Sequence, residues 1–297
     1  MSAVKQPCIA ITGANGFLGT ALVDHFAKKG WRVKALVRSP AKSVRKNLTY
    51  VSYDLSEPVH DSLLQDVDYL VHAAYIKQDR QHPDAFELNI QAAKKLAAAA
   101  KKQGLKKCLF LSSMSAHEEA ISAYGKQKLA IEKTFSGPNC VSIRSGLIIG
   151  NGGLVKQMVE FMRSKHMVPL VDGGQQPLQV ISVKDLVTVI DKLLQSRLSG
   201  VLTVATPEVY TYRQLYQAIS EQLEIKVLFV PVPFFVLINL IRLINLLPVP
   251  IAVNPDNALG LKALRSADTT LDLKRIGIKL QDLEAALAAS KKSSTTI

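Results

Sequence analysis

Residues 8–19 have the sequence Cys-Ile-Ala-Ile-Thr-Gly-Ala-Asn-Gly-Phe-Leu-Gly, and this stretch decides the fold. Its first five residues form an apolar run that is typical of a buried strand. A turn with Gly13, Gly16 and Gly19 follows, and residues 17–29 then have helical periodicity. A strand, a glycine-rich turn and a helix in this order predict a phosphate-binding turn, because a helix N-terminus presents N–H groups and partial positive charge.

The pattern continues outward from this turn as alternating strands and helices. Apolar runs predict further strands at residues 32–37, 48–53, 69–74, 107–111 and 141–149. Helical periodicity appears at residues 85–103 and 123–135. Strands that alternate with helices pair in parallel through right-handed crossovers, so we predict an α/β fold with a doubly wound parallel sheet of the Rossmann type.

The alternation becomes less regular after Gly150. The sequence predicts helices at 154–165, 184–195 and 234–247, strands at 180–183 and 200–205, and a helix that Thr211 opens with Gln214 in a capping box. We therefore expect a dinucleotide-binding domain at 1–150 and a smaller, mainly helical substrate-binding lobe at 151–297, of which residues 176–206 return to the large sheet.

Composition excludes several classes of protein. The 297 residues are 48% hydrophobic and 21% charged, which favours a folded chain with a substantial core. Cys8, Cys108 and Cys140 contain no Cys-x-x-Cys pair, so neither a disulfide scaffold nor a metal site is expected, and all three are predicted to be core thiols. Residues 1–7 contain no apolar leader, so we expect a cytoplasmic protein.

The net charge of +13 raises the question of an anionic partner. Its lysines are spread in pairs rather than gathered in an arm with aromatic residues, which favours a solvated basic surface and no nucleic-acid partner. Residues 234–247 are apolar apart from Asn239, Arg242 and Asn245, which form a narrow polar stripe. This helix is either buried in the substrate lobe or a homodimer contact, or it makes a peripheral membrane contact. Prolines around it argue against a transmembrane span.

Two positions bear on the choice of nucleotide. The glycine turn predicts a dinucleotide held by Gly13, Gly16 and Gly19, and by their neighbours Asn15, Phe17 and Leu18. Enzymes that use NAD usually carry an acid at the end of the second strand, where this chain has Val37 followed by Arg38. Because a guanidinium can pair with a 2′-phosphate, we predict NADP as cofactor, with NAD as the second choice.

A tyrosine and a lysine one helical turn apart suggest the chemistry. Tyr124 and Lys128 share one face of the predicted helix, and Ser113 follows the fifth strand at the edge where ligands bind. An ammonium near a phenol favours the phenolate, which makes Tyr124 a candidate acid/base, and the serine hydroxyl can hold a carbonyl oxygen.

These motifs together resemble the extended short-chain dehydrogenase/reductase family, the NAD-dependent epimerase/dehydratase group. The resemblance covers about residues 7–290 and rests on 12–19, Asp54-Leu55, His72-Ala73-Ala74, Asn89, Ser112-Ser113, Tyr124 with Lys128, 144–150 and 181–186. It implies the catalytic triad Ser113, Tyr124 and Lys128, cofactor contacts at Asp54, Leu55, Ala73, Ala74, Tyr124 and Lys128, and substrate contacts at Met114, Tyr75 and Arg144. Two alternatives stay open: Asp54 as a cap beside Ser56, and Asn89 as a structural amide.

Departures from the family pattern narrow the expected activity. Met114 and Ser115 stand where dehydratases of this family carry Asp-Glu, so 4,6-dehydration is disfavoured. Epimerases often place a diphosphate-binding arginine where this chain has residues 177–180, Pro-Leu-Gln-Val. Other cations that could serve are Arg213, Arg242 and Arg265.

We therefore expect an NAD(P)-dependent oxidoreductase or epimerase that acts on a nucleotide-activated sugar. The alternative is a low-turnover nicotinamide-binding subunit or assembly factor of a membrane-associated complex.

Overall fold

The computed structural model of the chain describes residues 6–40, 42–43, 45–77, 82–245 and 255–294. The strands are β1 (Cys8–Thr12), β2 (Arg32–Val37), β3 (Leu48–Ser52), β4 (Tyr69–His72), β5 (Lys107–Ser113), β6 (Cys140–Ser145), β7 (Leu147–Ile149), β8 (Met167–Val171), β9 (Pro177–Leu178), β10 (Val180–Ser182), β11 (Gly200–Val204), β12 (Tyr210–Thr211) and β13 (Leu228–Val232). The α-helices are α1 (Phe17–Lys28), α2 (Ala85–Lys102), α3 (Ala123–Thr134), α4 (Gly153–Lys165), α5 (Val183–Leu194), α6 (Tyr212–Leu223), α7 (Phe234–Asn245), α8 (Pro255–Lys262), α9 (Thr270–Ile276) and α10 (Leu283–Ser294).

Seven strands form one sheet in the order β3-β2-β1-β4-β5-β6-β11. Parallel pairing joins β1 to β2 and β4, β2 to β3, and β4 to β5. Cys108 N donates to Asn139 O, and Met114 N donates to Ser145 O, so β5 and β6 also run parallel. The order reverses at β1, and ligands of such sheets bind beside the strand ends at this switch point. The predicted fold class is confirmed.

The chain divides into two compact units by its internal contacts. The first unit comprises residues 1–112, 127–144 and 187–202, and the second comprises 113–126, 145–186 and 203–297. All five residues of β1 are buried, as expected of a parallel sheet covered on both faces. In the first unit Leu96 of α2 packs with Phe110 and Phe135, whose rings are 5.6 Å apart. The second unit has its own core, which includes Met162, Leu215 and Leu287.

The predicted strand 141–149 is in fact two strands that belong to different sheets. β6 lies in the large sheet, whereas β7 pairs with β10. Gly146 separates them, and a Cβ at this position would lie 2.5 Å from Gln179 O. A close backbone approach therefore needs glycine here, and Gly146 within the predicted strand was the sequence signal of this break.

Four strands that form two pairs, β9 with β12 and β8 with β13, were missed by sequence reasoning. β8 and β13 pair in parallel, with Pro169 opposite Val230 and Pro231 opposite Leu170. Proline lacks the N–H that a ladder uses, so these residues lower the strand signal in both segments. The predicted capping box is confirmed, because Thr211 Oγ1 accepts from Gln214 N and Gln214 Oε1 accepts from Thr211 N.

The predicted apolar helix forms as α7 and is only partly buried. Phe235 is 66% exposed and Val236 is 42% exposed, whereas Ile241 is buried. Leu246 and Leu247, the end of the predicted helix, lie outside the described residues. Within the part of the chain that the structure describes, no helix has the length and hydropathy needed to cross a membrane.

Candidate active site

The glycine-rich turn lies at the switch point of the sheet, in the first unit. Gly13 has φ +67°, and a Cβ on it would lie 3.0 Å from the backbone of Ala74, just after β4. Thr12 Oγ1 accepts hydrogen bonds of 3.1 Å from the N–H groups of both Ala73 and Ala74. This pair of bonds joins the end of β4 to the end of β1, so the two alanines border the glycine-rich turn.

The start of α1 suits a phosphate. A Cβ on Gly19 would lie 2.0 Å from Gly13 O, and one on Gly16 would lie 3.1 Å from the same oxygen. The helix therefore begins in close contact with the turn. No acidic side chain stands in its first turn, so the N-terminal amides have no competing anion there. Around this N-terminus the structure places exposed Asn15 and Gly16, half-buried Phe17, and buried Leu18 and Gly19.

Arg38 and Asp54 follow β2 and β3 at the same edge of the sheet. Asp54 Oδ1 accepts 2.6 Å and 2.8 Å hydrogen bonds from the hydroxyl and the N–H of Ser56, which close a local turn. No helix begins at residues 55–60, so the helix-capping alternative for this carboxylate is wrong. The two bonds from Ser56 lower the pKa of Asp54, and the nearby charge of Arg38 lowers it further. Arg38 is exposed and Leu55 is buried.

Ser113 and Tyr124 meet in the second unit. The hydroxyl of Ser113, the last residue of β5, hydrogen-bonds the Tyr124 phenol, and its oxygen also accepts from Ser115 N at 3.1 Å. Burial raises the pKa of Tyr124, and the bond from Ser113 acts in the opposite direction. The phenol is therefore protonated at neutral pH.

Lys128 lies one helical turn after Tyr124 on α3 and belongs to the first unit. Its Nζ donates to Leu111 O at 2.8 Å and lies 4.8 Å from the Phe110 ring centroid and 5.3 Å from that of Tyr75. Burial lowers the pKa of Lys128 to about 8, although the Glu132 carboxylate acts in the opposite direction. This value keeps the ammonium charged at neutral pH and within reach of deprotonation. Tyr75 is 37% exposed.

Asp256 positions the helix that carries Tyr124, and sequence reasoning missed it. Its Oδ1 accepts from Ala123 N at 2.6 Å, and its Oδ2 accepts from Tyr124 N at 3.2 Å. The carboxylate therefore satisfies the first two N–H groups of α3, while Ser122 Oγ, the local N-cap, accepts from Gly125 N at 3.1 Å. A capping residue is usually sought just before the helix, whereas Asp256 is 133 residues away from Ala123.

Other nominated residues hold the scaffold together. Arg144 forms a bidentate ion pair with Glu132, in which its Nε and Nη2 donate to the two carboxylate oxygens at 2.9 Å and 2.7 Å. Ser112 Oγ donates to the same carboxylate. Asn89 bonds both the N–H and the C=O of Ile76, so the structural-amide alternative is present. Met114 is half-buried after β5.

The segment 177–180, where epimerases often carry a diphosphate-binding arginine, contains a glutamine with a structural role. Gln179 Nε2 donates to Thr206 O and Ala267 O, and its Oε1 accepts from Ala267 N. Both ends of its side-chain amide therefore hydrogen-bond backbone groups of the second unit.

Two of the arginines nominated for the diphosphate are also engaged in the second unit. Arg213 Nε donates to Gly173 O at 3.0 Å, and Arg265 forms an ion pair with Glu119. The side chain of Arg242 lies outside the described side chains. Among the described residues, no three His, Cys, Asp or Glu side chains come together as a metal site.

Comparisons with known proteins agree with this arrangement. The profile described as "NAD dependent epimerase/dehydratase family" matches residues 9–205. A ceramide reductase of Caulobacter vibrioides is 32% identical over 158 residues, which are 51% of this chain and 50% of that protein, so the matched region spans half of that relative's length. The epimerase family protein YfhF of Bacillus subtilis is 25% identical over 87% of this chain and 92% of its own length.

Solved structures show the same fold. A UDP-N-acetylglucosamine 4-epimerase from Methanobrevibacter ruminantium, in complex with UDP-N-acetylmuramic acid, superposes with a TM-score of 0.74 at 21% identity and covers 99% of this chain and 100% of its own. At this identity the likeness supports the fold alone, whereas the profile spans most of the chain. The chain belongs to the NAD-dependent epimerase/dehydratase family.

Proposed function

We propose that this protein is an NADP(H)-preferring oxidoreductase that transfers a hydride between the dinucleotide and a carbonyl carbon, with Tyr124 as its acid/base. The observation that carries the proposal is the hydrogen bond between Ser113 and Tyr124, with Lys128 one turn further along the same helix. These three side chains supply what carbonyl reduction needs besides the hydride: a proton donor, a hydroxyl for the carbonyl oxygen and a stabilising charge.

The cofactor has a fitting cradle in the first unit. Gly13, Gly16 and Gly19 leave the backbone open to a pyrophosphate, and the α1 N-terminus supplies amides for it. Arg38 offers a guanidinium to a 2′-phosphate, which is why NADP is preferred over NAD in this proposal. The bound dinucleotide would supply or accept the hydride.

The protonation state of Tyr124 suits the role of proton donor in carbonyl reduction. Tyr124 holds its proton at neutral pH because burial raises the pKa of the phenol, so it is ready to protonate a carbonyl oxygen. In this proposal the Ser113 hydroxyl would also hydrogen-bond the substrate oxygen, and the Lys128 ammonium would stabilise the phenolate left on Tyr124. An epimerase would first oxidise an alcohol, and this step needs the Tyr124 phenolate as a base. The same residues would then serve the reduction that follows. Met114 and Ser115 offer no second proton carrier, so the proposal excludes 4,6-dehydration.

A nucleotide-activated sugar is the first candidate substrate, held by the lobe at 151–297. The epimerase with a bound UDP-sugar supports this candidate through its fold. A second candidate, an apolar ketone, is favoured by two observations in the second unit. Arg213 and Arg265 are engaged by Gly173 O and Glu119, and the ceramide reductase is a relative.

One assay tests the function and separates the candidates. Purified protein is mixed with NADPH and either UDP-, GDP- and dTDP-linked 4-keto sugars or long-chain ketones, and NADPH consumption is followed. We expect steady turnover with one of the two classes, and Tyr124→Phe should lower it by about 100-fold or more. Binding of NADPH without turnover on any ketone would instead favour the low-turnover subunit. Tightly copurified dinucleotide would favour an epimerase.

A further inference from the structure

Cys108 and Cys140 lie side by side on neighbouring strands of the first unit. Cys108 is the second residue of β5, and Cys140 is the first residue of β6. Cys108 N donates to Asn139 O at 2.8 Å. In a parallel ladder this bond makes Cys108 and Cys140 direct partners, so their side chains point to the same face of the sheet. Neighbouring strands are about 4.8 Å apart, which is within the Cα separation of about 4.4–6.8 Å that a disulfide requires.

The two thiols differ in character. They hydrogen-bond each other, and this bond lowers the pKa of Cys140 and raises that of Cys108. The charge of Lys107 lowers the pKa of Cys140 further. Cys108 is 5% exposed, whereas Cys140 is half-buried. The Cys140 sulfur is thus both the more accessible and the better nucleophile, and the buried Cys108 thiol lies next to it.

A cavity of about 600 Å³ opens at this pair. Both cysteines line it, together with apolar side chains such as Leu105 and Phe135, and Lys94 and Lys101 of α2 also border it. Because the pair stands where β5 and β6 begin, the cavity lies at the opposite strand ends from Ser113 and the glycine turn. It is a separate site with room for a small molecule.

We propose that Cys140 and Cys108 form a thiol–disulfide exchange site that reacts with small anionic disulfides entering this cavity. The Cys140 thiolate attacks one sulfur of the disulfide R–S–S–R, forms a mixed disulfide and releases R–S⁻. Cys108 then gives its proton to R–S⁻ and attacks the Cys140 sulfur, which forms the Cys108–Cys140 bond and releases a second R–S⁻. The two protein sulfurs are oxidised to a disulfide, and R–S–S–R is reduced to R–SH and R–S⁻, the latter taking from solvent the proton that Cys140 lost on ionisation.

The test uses the full chain and oxidised glutathione, followed by intact-mass measurement and peptide mapping. Wild type should lose two hydrogens and yield a Cys108–Cys140 linked peptide. Cys108→Ser should stop at one glutathione on Cys140, and Cys140→Ser should react at least about tenfold more slowly, because its remaining thiols are buried. Cys8→Ser is the matched control and should behave as wild type, since Cys8 is 1% exposed.

Three results would overturn the proposal. They are a stable glutathione adduct on wild-type Cys140 that Cys108 does not resolve, labelling of Cys8 at the rate of Cys140, and no reaction of the folded wild-type chain. Circular dichroism and a melting curve verify that each variant is folded. Should a variant fail to fold, the linked peptide and the rates of Cys8 and Cys140 in wild type still decide the outcome.

Discussion

Replacing Asp256 separates the placement of Tyr124 from the stability of the fold. In Asp256→Ala, the N–H groups of Ala123 and Tyr124 lose acceptors at 2.6 Å and 3.2 Å. Ser122 still caps α3 in this variant, so the loss is that of the distant acceptor. Losing a side-chain acceptor at a helix N-terminus costs about 0.5–2 kcal/mol, and losing an anion there costs about 0.3–1 kcal/mol more. We expect about 1–3 kcal/mol of destabilisation. Asp256→Asn should lie between wild type and alanine, because its amide keeps one acceptor oxygen.

In Asp256→Ala we expect kcat to fall by a larger factor than the loss of stability alone would cause. When the first turn of α3 shifts, the phenol moves from its bond with Ser113, and a displacement of about 1 Å can cost about 100-fold in rate. The assay compares kcat for NADPH consumption with Tm for each variant. Asp282→Ala is the matched control, because Asp282 caps α10 through a 2.8 Å bond from Ala285 N. The control should lose stability but keep kcat. Equal kcat losses in both alanine variants, or wild-type kcat in Asp256→Ala, would refute the reasoning.

Three further predictions concern the cofactor cradle and Lys128. Gly19→Ala should raise the Kd for NADPH at least about tenfold, because its Cβ would lie 2.0 Å from Gly13 O, whereas Gly260→Ala, with 3.6 Å to its nearest atom, should bind as wild type. Arg38→Asp should reverse the preference for NADPH over NADH. If wild type and the variant prefer the same dinucleotide, Arg38 does not select the 2′-phosphate. Lys128 has a pKa of about 8, below its ordinary value, so the ammonium is lost as the pH rises through 8 and kcat should fall there. This alkaline limb should be absent from the pH profile of Lys128→Met.

Local patterns were sufficient to predict the nucleotide-binding half of the fold. The turn at Gly13 has a positive φ, and Gly19 sits against it, as the spacing of the glycines indicates. Tyr124 and Lys128 both lie on α3, and they share one face of it because any α-helix places residues four apart on the same face. Both inferences involve residues that are near in sequence.

Long-range contacts account for what the sequence could not reveal. Asp256 lies 133 residues from Ala123 in the sequence, and no residue near Ala123 indicates that this carboxylate accepts its N–H. Arg144 is paired by Glu132 from the preceding helix, so its charge is used within the scaffold. The break at Gly146 depends on Gln179 O, which no periodicity of the strand encodes. Such contacts are set by tertiary packing, which overrides the local pattern.

The central claim is that Tyr124 protonates a carbonyl oxygen while the dinucleotide reduces the adjoining carbon. Its most direct test is single-turnover transfer of deuterium from C4-labelled NADPH to the ketone that the substrate assay selects, in wild type and Tyr124→Phe. The account predicts labelled alcohol from wild type, transfer at least about 100-fold slower in the variant, and an NADPH Kd that changes by less than about twofold. Transfer at the wild-type rate without the phenolic hydroxyl, or no transfer by wild type to any ketone, would contradict it.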